Sequence, residues 1–169
     1  MKRTLFIILT VFMTFYASAQ GTEFEFNLGF TIGDLKDDLG MESNGKGGYL
    51  WEVAPRFSLG PLVGISYIFS NNGATLFGDS LGFTISAAGR YDLSEKVYLG
   101  GDLGYGTISA GNGTEGIYYR PVIGFKVGER LSIIASYTSL NLNESEGKTF
   151  IRVNKGSTLN TIQMGLSIR

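Results

Sequence analysis

Apolar and polar residues alternate with a period of two along most of this chain. In Glu23–Ile32 one face reads Phe24, Phe26, Leu28, Phe30 and Ile32, and the other reads Glu23, Glu25, Asn27, Gly29 and Thr31. Seven more segments repeat the pattern: Tyr49–Leu59, Leu62–Ser70, Ser80–Asp92, Val97–Ile108, Ile117–Val127, Leu131–Asn141 and Thr158–Arg169. Successive side chains of a strand point to opposite faces, so each segment is predicted as a strand with one apolar and one polar side. Pro55 and Pro121 fall inside two of these strands, and each removes a ladder donor. A bulge or a shifted boundary is expected at each.

The predicted connections alternate too. A long polar stretch, Gly33–Gly48, is followed by Gly60-Pro61, then Asn71–Asp79, Leu93–Lys96, Ser109–Gly116, Gly128–Arg130 and Leu142–Gly156. Long and short links in strict turn are the mark of an up-and-down barrel that crosses a bilayer, with long loops outside and tight turns in the periplasm. An even strand number puts both chain ends at the periplasmic side. The expected fold is therefore all-β, an eight-stranded antiparallel transmembrane barrel.

Alternation alone does not say which face points inward, and a secreted lipocalin-like ligand-binding cup would put the apolar face inside. Depth sorting favours apolar outward. Phe30, Tyr49, Trp51, Phe69, Phe83, Tyr105, Tyr119 and Tyr137 are expected near the long-loop ends, and Phe24, Phe57, Tyr91 and Phe125 near the tight turns. Aliphatic residues lie between, as two aromatic girdles around an apolar band require. The polar face is rich in Gly, Ser, Thr and Ala, which fit the narrow interior of an eight-stranded barrel.

The first residues belong to another category. Met1-Lys2-Arg3, an apolar run from Leu5 to Tyr16, and Ala17-Ser18-Ala19 form the three regions of a secretory signal. The run is shorter than the roughly 20 residues a spanning helix needs. Cleavage is expected after Ala19, leaving residues 20–169 as the barrel domain. Loss of Lys2 and Arg3 takes the formal net charge from −1 to −3. The near balance of 14 basic and 15 acidic residues offers no concentrated basic face for nucleic acid. There is no cysteine and no histidine, so a thiol nucleophile, a disulfide scaffold and the commonest general base are all missing.

On this pattern the chain resembles the small outer-membrane β-barrel families, the OmpA/OmpX-like group with an outer membrane protein beta-barrel domain. The resemblance covers residues 20–169 and rests on pattern. It implies insertion by the barrel-assembly machinery, contact with membrane lipid and lipopolysaccharide, and a monomer. Family members commonly end on an aromatic residue, whereas this chain ends on Ile168-Arg169. No peptidoglycan-binding domain is expected beside the barrel, so that role is not carried over.

Several catalytic strings occur and are set aside on context. Gly111–Gly116 matches G-x-G-x-x-G, but a strand follows where a phosphate-binding helix is needed. Gly40–Lys46 matches part of a phosphate loop, yet Gly47 stands where Ser or Thr would hold Mg²⁺. Ser43/Lys46 and Ser145/Lys148 have S-x-x-K spacing but are placed in loops. Asp34, Asp37, Asp38 and Glu42 cluster in the first long loop, where oxygen ligands could hold a divalent cation or bridge to lipopolysaccharide. The alternative is a solvated acidic loop.

The chemistry that matters most is expected inside. Glu25, Glu52, Asp92 and Asp102 face inward against Arg56, Arg90, Arg120, Lys126 and Arg169. Glu25 and Arg56 are expected near the periplasmic end, with Arg90 and Asp102 on neighbouring strands at about that level. Buried charges must be paired. These residues therefore read as structural lumen ion pairs, or alternatively as the lining of a narrow pore for ions or small molecules. No cofactor and no enzyme activity are expected, and the leading functional reading is a surface barrel acting through its long loops.

Overall fold

The structure is a computed structural model that describes residues 21–36, 39–70, 80–109, 114–143 and 158–169. The expected signal segment and most of the long-loop residues lie outside that set. The strands are β1 (Thr22–Ile32), β2 (Leu39–Tyr49), β3 (Trp51–Ala54), β4 (Phe57–Ser70), β5 (Ser80–Asp92), β6 (Val97–Ile108), β7 (Thr114–Lys126), β8 (Leu131–Asn143) and β9 (Thr158–Ile168). A 3-10 turn, Gly33–Leu35, follows β1.

Every neighbouring pair is antiparallel, and β1 bonds both β2 and β9, so the sheet closes on itself. The seam runs without interruption from Phe24↔Ile168 to Ile32↔Asn160. β2 pairs with β4 down to Gly48↔Leu62, and β3 resumes the same register at Trp51↔Leu59. β2 and β3 are thus two parts of one stave, and nine strands build an eight-stave barrel. From β1 round to β9 every stave is paired on both sides, which is the condition for crossing lipid with strands, and among the described residues only the short β3 segment is paired on one side alone. Strands of 11–14 residues on the long staves reach or exceed the roughly 9–11 that a tilted strand needs.

The second stave differs from the sequence reading. The expected loop Gly33–Gly48 is mostly β2, and the expected strand Tyr49–Leu59 is a hairpin that turns at Pro55-Arg56. Gly60-Pro61, read as a turn, lies inside β4, with Pro61 opposite Ala87 of β5. The cause is visible on the outer positions of β2, which are Met41, Ser43, Gly45 and Gly47. Three small residues in a row erase the apolar alternation. Ladders on both flanks, not side-chain hydrophobicity, hold this strand in place.

The prolines divide. Pro55 marks a shifted boundary, because it starts the turn. Pro121 sits within β7 with no bulge, since Tyr119↔Ser139 and Val122↔Ser136 keep one register across it. Arg56 carries a φ of 66°, a left-handed conformation unusual for a side chain with a Cβ.

The apolar face points outward. Phe30 is 67% exposed, Leu103 64% and Met164 63%, while Arg90 and Arg120 are each 1% exposed. This arrangement overturns the lipocalin-like cup, which needs the reverse. A continuous apolar belt of that extent has no stable place in water and fits acyl chains. One detail of the girdles changes: Tyr49 pairs with Thr22 at the turn end, so Tyr49 and Trp51 join the lower girdle, not the upper. Their rings stand 5.0 Å apart there.

Candidate functional site: the charged lumen

Inward positions follow from strand parity once the ladders are known. On β1 they are Glu23, Glu25 and Asn27; on β2 they are Glu42, Asn44 and Lys46. Opposite them, β5 turns in Arg90, β6 turns in Asp102, and β7 turns in Arg120. Parity alone thus aims three cations and four carboxylates into a narrow interior.

They meet as a single network. Arg90 reaches across the lumen to Glu23 at 3.1 Å and Glu25 at 3.0 Å, and binds Asp102 at 2.7 Å. Arg120 lies 2.7 Å from Glu25 and 2.9 Å from Asp102. Lys46 lies 3.0 Å from Asp102 and also donates to the Tyr118 hydroxyl. These side chains are 0–1% exposed. Three positive and three negative groups leave the cluster neutral, which is what makes burial of six charges tolerable. Gly100 provides the room. A Cβ there would stand 2.6 Å from Cδ of Arg90, whose stem lies across it.

Polar and apolar layers surround the network. Asn27 donates to Asn44 at 3.0 Å, and Gln163 is held among Ser136, Thr138 and Thr161. Toward the loop end, Leu35, Leu39, Ile68, Ile108, Tyr118, Leu140 and Leu159 pack into an apolar cluster. Toward the turn end, Leu50, Leu62 and Ala88 form a second, and Tyr98, Val122 and Ile134 a third. The interior is therefore filled by apolar clusters as well as by polar side chains, an addition to the expected polar filling. Between the network and the upper cluster lies a cavity of about 30 Å³.

The sequence-derived site residues separate cleanly. Glu25, Arg90, Asp102 and Arg120 come together in the network. Lys126 pairs with Asp92 at 2.8 Å, but both side chains are about a third exposed, so this pair stands at the rim. Arg56 and Glu52 are not lumen residues: both are exposed on the β3–β4 hairpin, because the turn falls at Pro55-Arg56. Glu25 therefore pairs with Arg90 and Arg120, not with Arg56. Glu42 leaves the proposed acidic loop altogether and points into the lumen from β2, 5% exposed. Asp34 lies in the 3-10 turn, and Asp37 and Asp38 are outside the described residues. Among the described residues no group of three or more acidic side chains is placed to hold a metal ion.

Reading β2 as a loop concealed Lys46, and Ser43/Lys46 with it: both lie on a strand, not in a loop. Glu23 was legible as inward-facing, yet its part in the network depended on how far Arg90 reaches across. Tyr98 and Tyr118 were hidden because aromatic residues on the inner face break the simple alternation.

No family model and no curated protein matches the chain by sequence. Solved structures match it by shape. The attachment invasion locus protein Ail of Yersinia pestis superposes with a TM-score of 0.57 at 16% identity, covering 88% of this chain and 97% of its own. Neisserial surface protein A gives 0.57 at 13% identity, covering 89% and 97%. A second Ail structure, in complex with the heparin analogue sucrose octasulfate, gives 0.56 at 17% identity, covering 88% and 99%. The architecture is that of the small eight-stranded outer-membrane β-barrels.

Proposed function

We propose that this chain is a non-enzymatic integral protein of the outer membrane, whose barrel is a sealed scaffold and whose loops make its contacts. The observation that carries the reading is the neutral six-charge network with apolar clusters on both sides of it. It fills the lumen at the level where a pore would have to be open, and disfavours the alternative of a narrow transport channel. Every acid and base in the network is bound to an opposite charge, and no histidine or cysteine stands beside them as a nucleophile or a free base. That supports a structural and not a catalytic interior.

The loop ends are then left for interaction. Residues 33–38, 71–79, 109–113 and 144–157 together carry six acidic and four basic residues. This balance does not favour a polyanion such as the heparin analogue bound by Ail. Lipid and lipopolysaccharide around the apolar belt, insertion by the assembly machinery after signal removal, and a monomeric state complete the reading.

The test removes loops and keeps the barrel. Segments 71–79 and 144–157 would be replaced by short Asn-Gly turns, and the variant used to complement a strain lacking the gene. The variant should fold and insert as the wild type does, yet fail to restore the envelope or attachment phenotype. Full complementation by the loop-trimmed barrel would place the function in the barrel itself.

A further inference from the structure

Arg169 faces inward but is not one of the six charges of the network. It directly follows β9, whose parity puts Gln163 and Ser167 inside and Leu166 and Ile168 outside, so its side chain turns into the lumen. Its backbone N–H donates to the Arg130 carbonyl at 2.9 Å, which fixes the start of the side chain at the turn end. The seam ladder ends at Phe24↔Ile168 and sets Glu23 beside Arg169 on the next stave, within electrostatic reach.

Tyr98, the second residue of β6, stands across the same mouth, paired with Asp92 at the last position of β5. A ring so close to the strand end lies where water would reach it, yet Tyr98 is 0% exposed. Two contacts account for this. Gly124 faces it from β7, where a Cβ would collide with the ring, so the ring reaches over that strand to pack with Val122 and Ile134. From β9 the Arg169 guanidinium comes over the ring, its Cζ 3.9 Å from the centroid. Arg169 Nη2 is buried there without a hydrogen bond among the described residues, so the ring face and the attraction of Glu23 hold it.

We propose that Arg169 is a latch over the turn-end mouth of the lumen. Laid on Tyr98, its guanidinium separates the six-charge network from solution on that side, and it can swing away while the network stays shut. The network is held by ion pairs of 2.7–3.1 Å between groups with almost no exposure, whereas the latch is held by a ring face at the rim. The latch is therefore the first closure to release. Its release opens a short vestibule, reached from the turn side, that ends at Glu23 and Arg90. The inference rests on the sealed lumen for its setting, and it adds a second closure with a readout of its own.

The chain has no cysteine, so Ser167→Cys is a unique probe. Ser167 is 0% exposed and lies two residues further in than Arg169 on the same face of β9. The full barrel carrying Ser167→Cys, refolded in an uncharged detergent, would be treated with an uncharged, water-soluble methanethiosulfonate reagent, and labelling followed by intact mass. An uncharged reagent keeps the loss of a positive charge from altering the rate by itself. Adding Arg169→Ala should speed labelling by about five- to thirtyfold, the range a lost cation–ring contact allows. Tyr98→Phe, which keeps the ring, should leave labelling slow. Tyr98→Leu should speed it, and tests the same contact from the other side if Arg169→Ala refolds poorly. Equal labelling rates with and without Arg169, in barrels of the same heat-modified gel mobility, would overturn the latch. So would fast labelling with Arg169 in place. Planar-bilayer recording reads the network separately: Arg169→Ala should stay closed, and a steady current through that variant alone would overturn the claim that the network stays shut when the latch opens.

Discussion

Asp102 binds three cations at once: Arg90 at 2.7 Å, Arg120 at 2.9 Å and Lys46 at 3.0 Å. Asp102→Asn keeps the shape of the side chain and deletes its charge, so three cations are left facing Glu23 and Glu25. The surplus positive charge sits where the side chains are 0–1% exposed and water cannot screen it. Breaking a buried pair by removing one partner costs about 3–5 kcal/mol. For a chain of this size each kcal/mol moves the unfolding temperature by about 2–4 °C, so a fall of roughly 6–20 °C is expected. Urea unfolding of the refolded barrel in lipid vesicles, followed by tryptophan fluorescence and by heat-modified gel mobility, measures the loss. The second variant is decisive. Lys46→Met in the Asp102→Asn background returns the network to two positive and two negative groups, and should recover part of the stability as a positive coupling energy. Wild-type stability in Asp102→Asn, or additive losses in the double variant, would refute the reasoning that charge balance holds the interior together.

Three further outcomes follow from particular contacts. Gly100→Ala puts a methyl group 2.6 Å from Arg90 Cδ, and the forced shift of that stem should cost about 1–3 kcal/mol in the same urea assay. Arg56→Gly should stabilise the barrel by about 0.5–1 kcal/mol, since φ 66° suits glycine, and Glu52→Ala beside it should be nearly neutral in the same measurement. Protease added to intact cells should cut within 71–79 or 144–157 and spare the turns at 55–56 and 127–130, as fragment masses will report; the opposite pattern would invert the orientation.

The sequence disclosed the barrel because seven of its eight staves carry a clear apolar outer face, and a tight turn follows a long link throughout. Arg90, Asp102 and Arg120 were legible as lumen residues for the same reason, since parity is fixed wherever an apolar face is present. The stave built from β2 and β3 was not legible. Ser43, Gly45 and Gly47 face the bilayer without an apolar signature, while Trp51, Val53, Phe57 and Leu59 keep one parity straight through a hairpin. Local patterning therefore favoured a strand across the turn at Pro55-Arg56. Only the ladders to β1 and β4 fix the true register, and these are contacts between distant parts of the chain. That single shift moved Arg56 and Glu52 out of the site and brought Lys46 and Glu42 into it. The partners of Arg90 were beyond sequence for a different reason: its guanidinium crosses the lumen to β1, 67 residues away in the chain from Glu23.

Single-channel recording in planar bilayers tests the sealed lumen most directly. Purified wild-type barrel, inserted from detergent into an uncharged bilayer, should give no steady open-state current across the range of applied voltage. On the proposed reading, the network and the apolar clusters on either side leave ions no continuous water path. A stable, ohmic conductance from wild-type protein, reproducible from one insertion to the next, would contradict the sealed interior and make the lumen a pore.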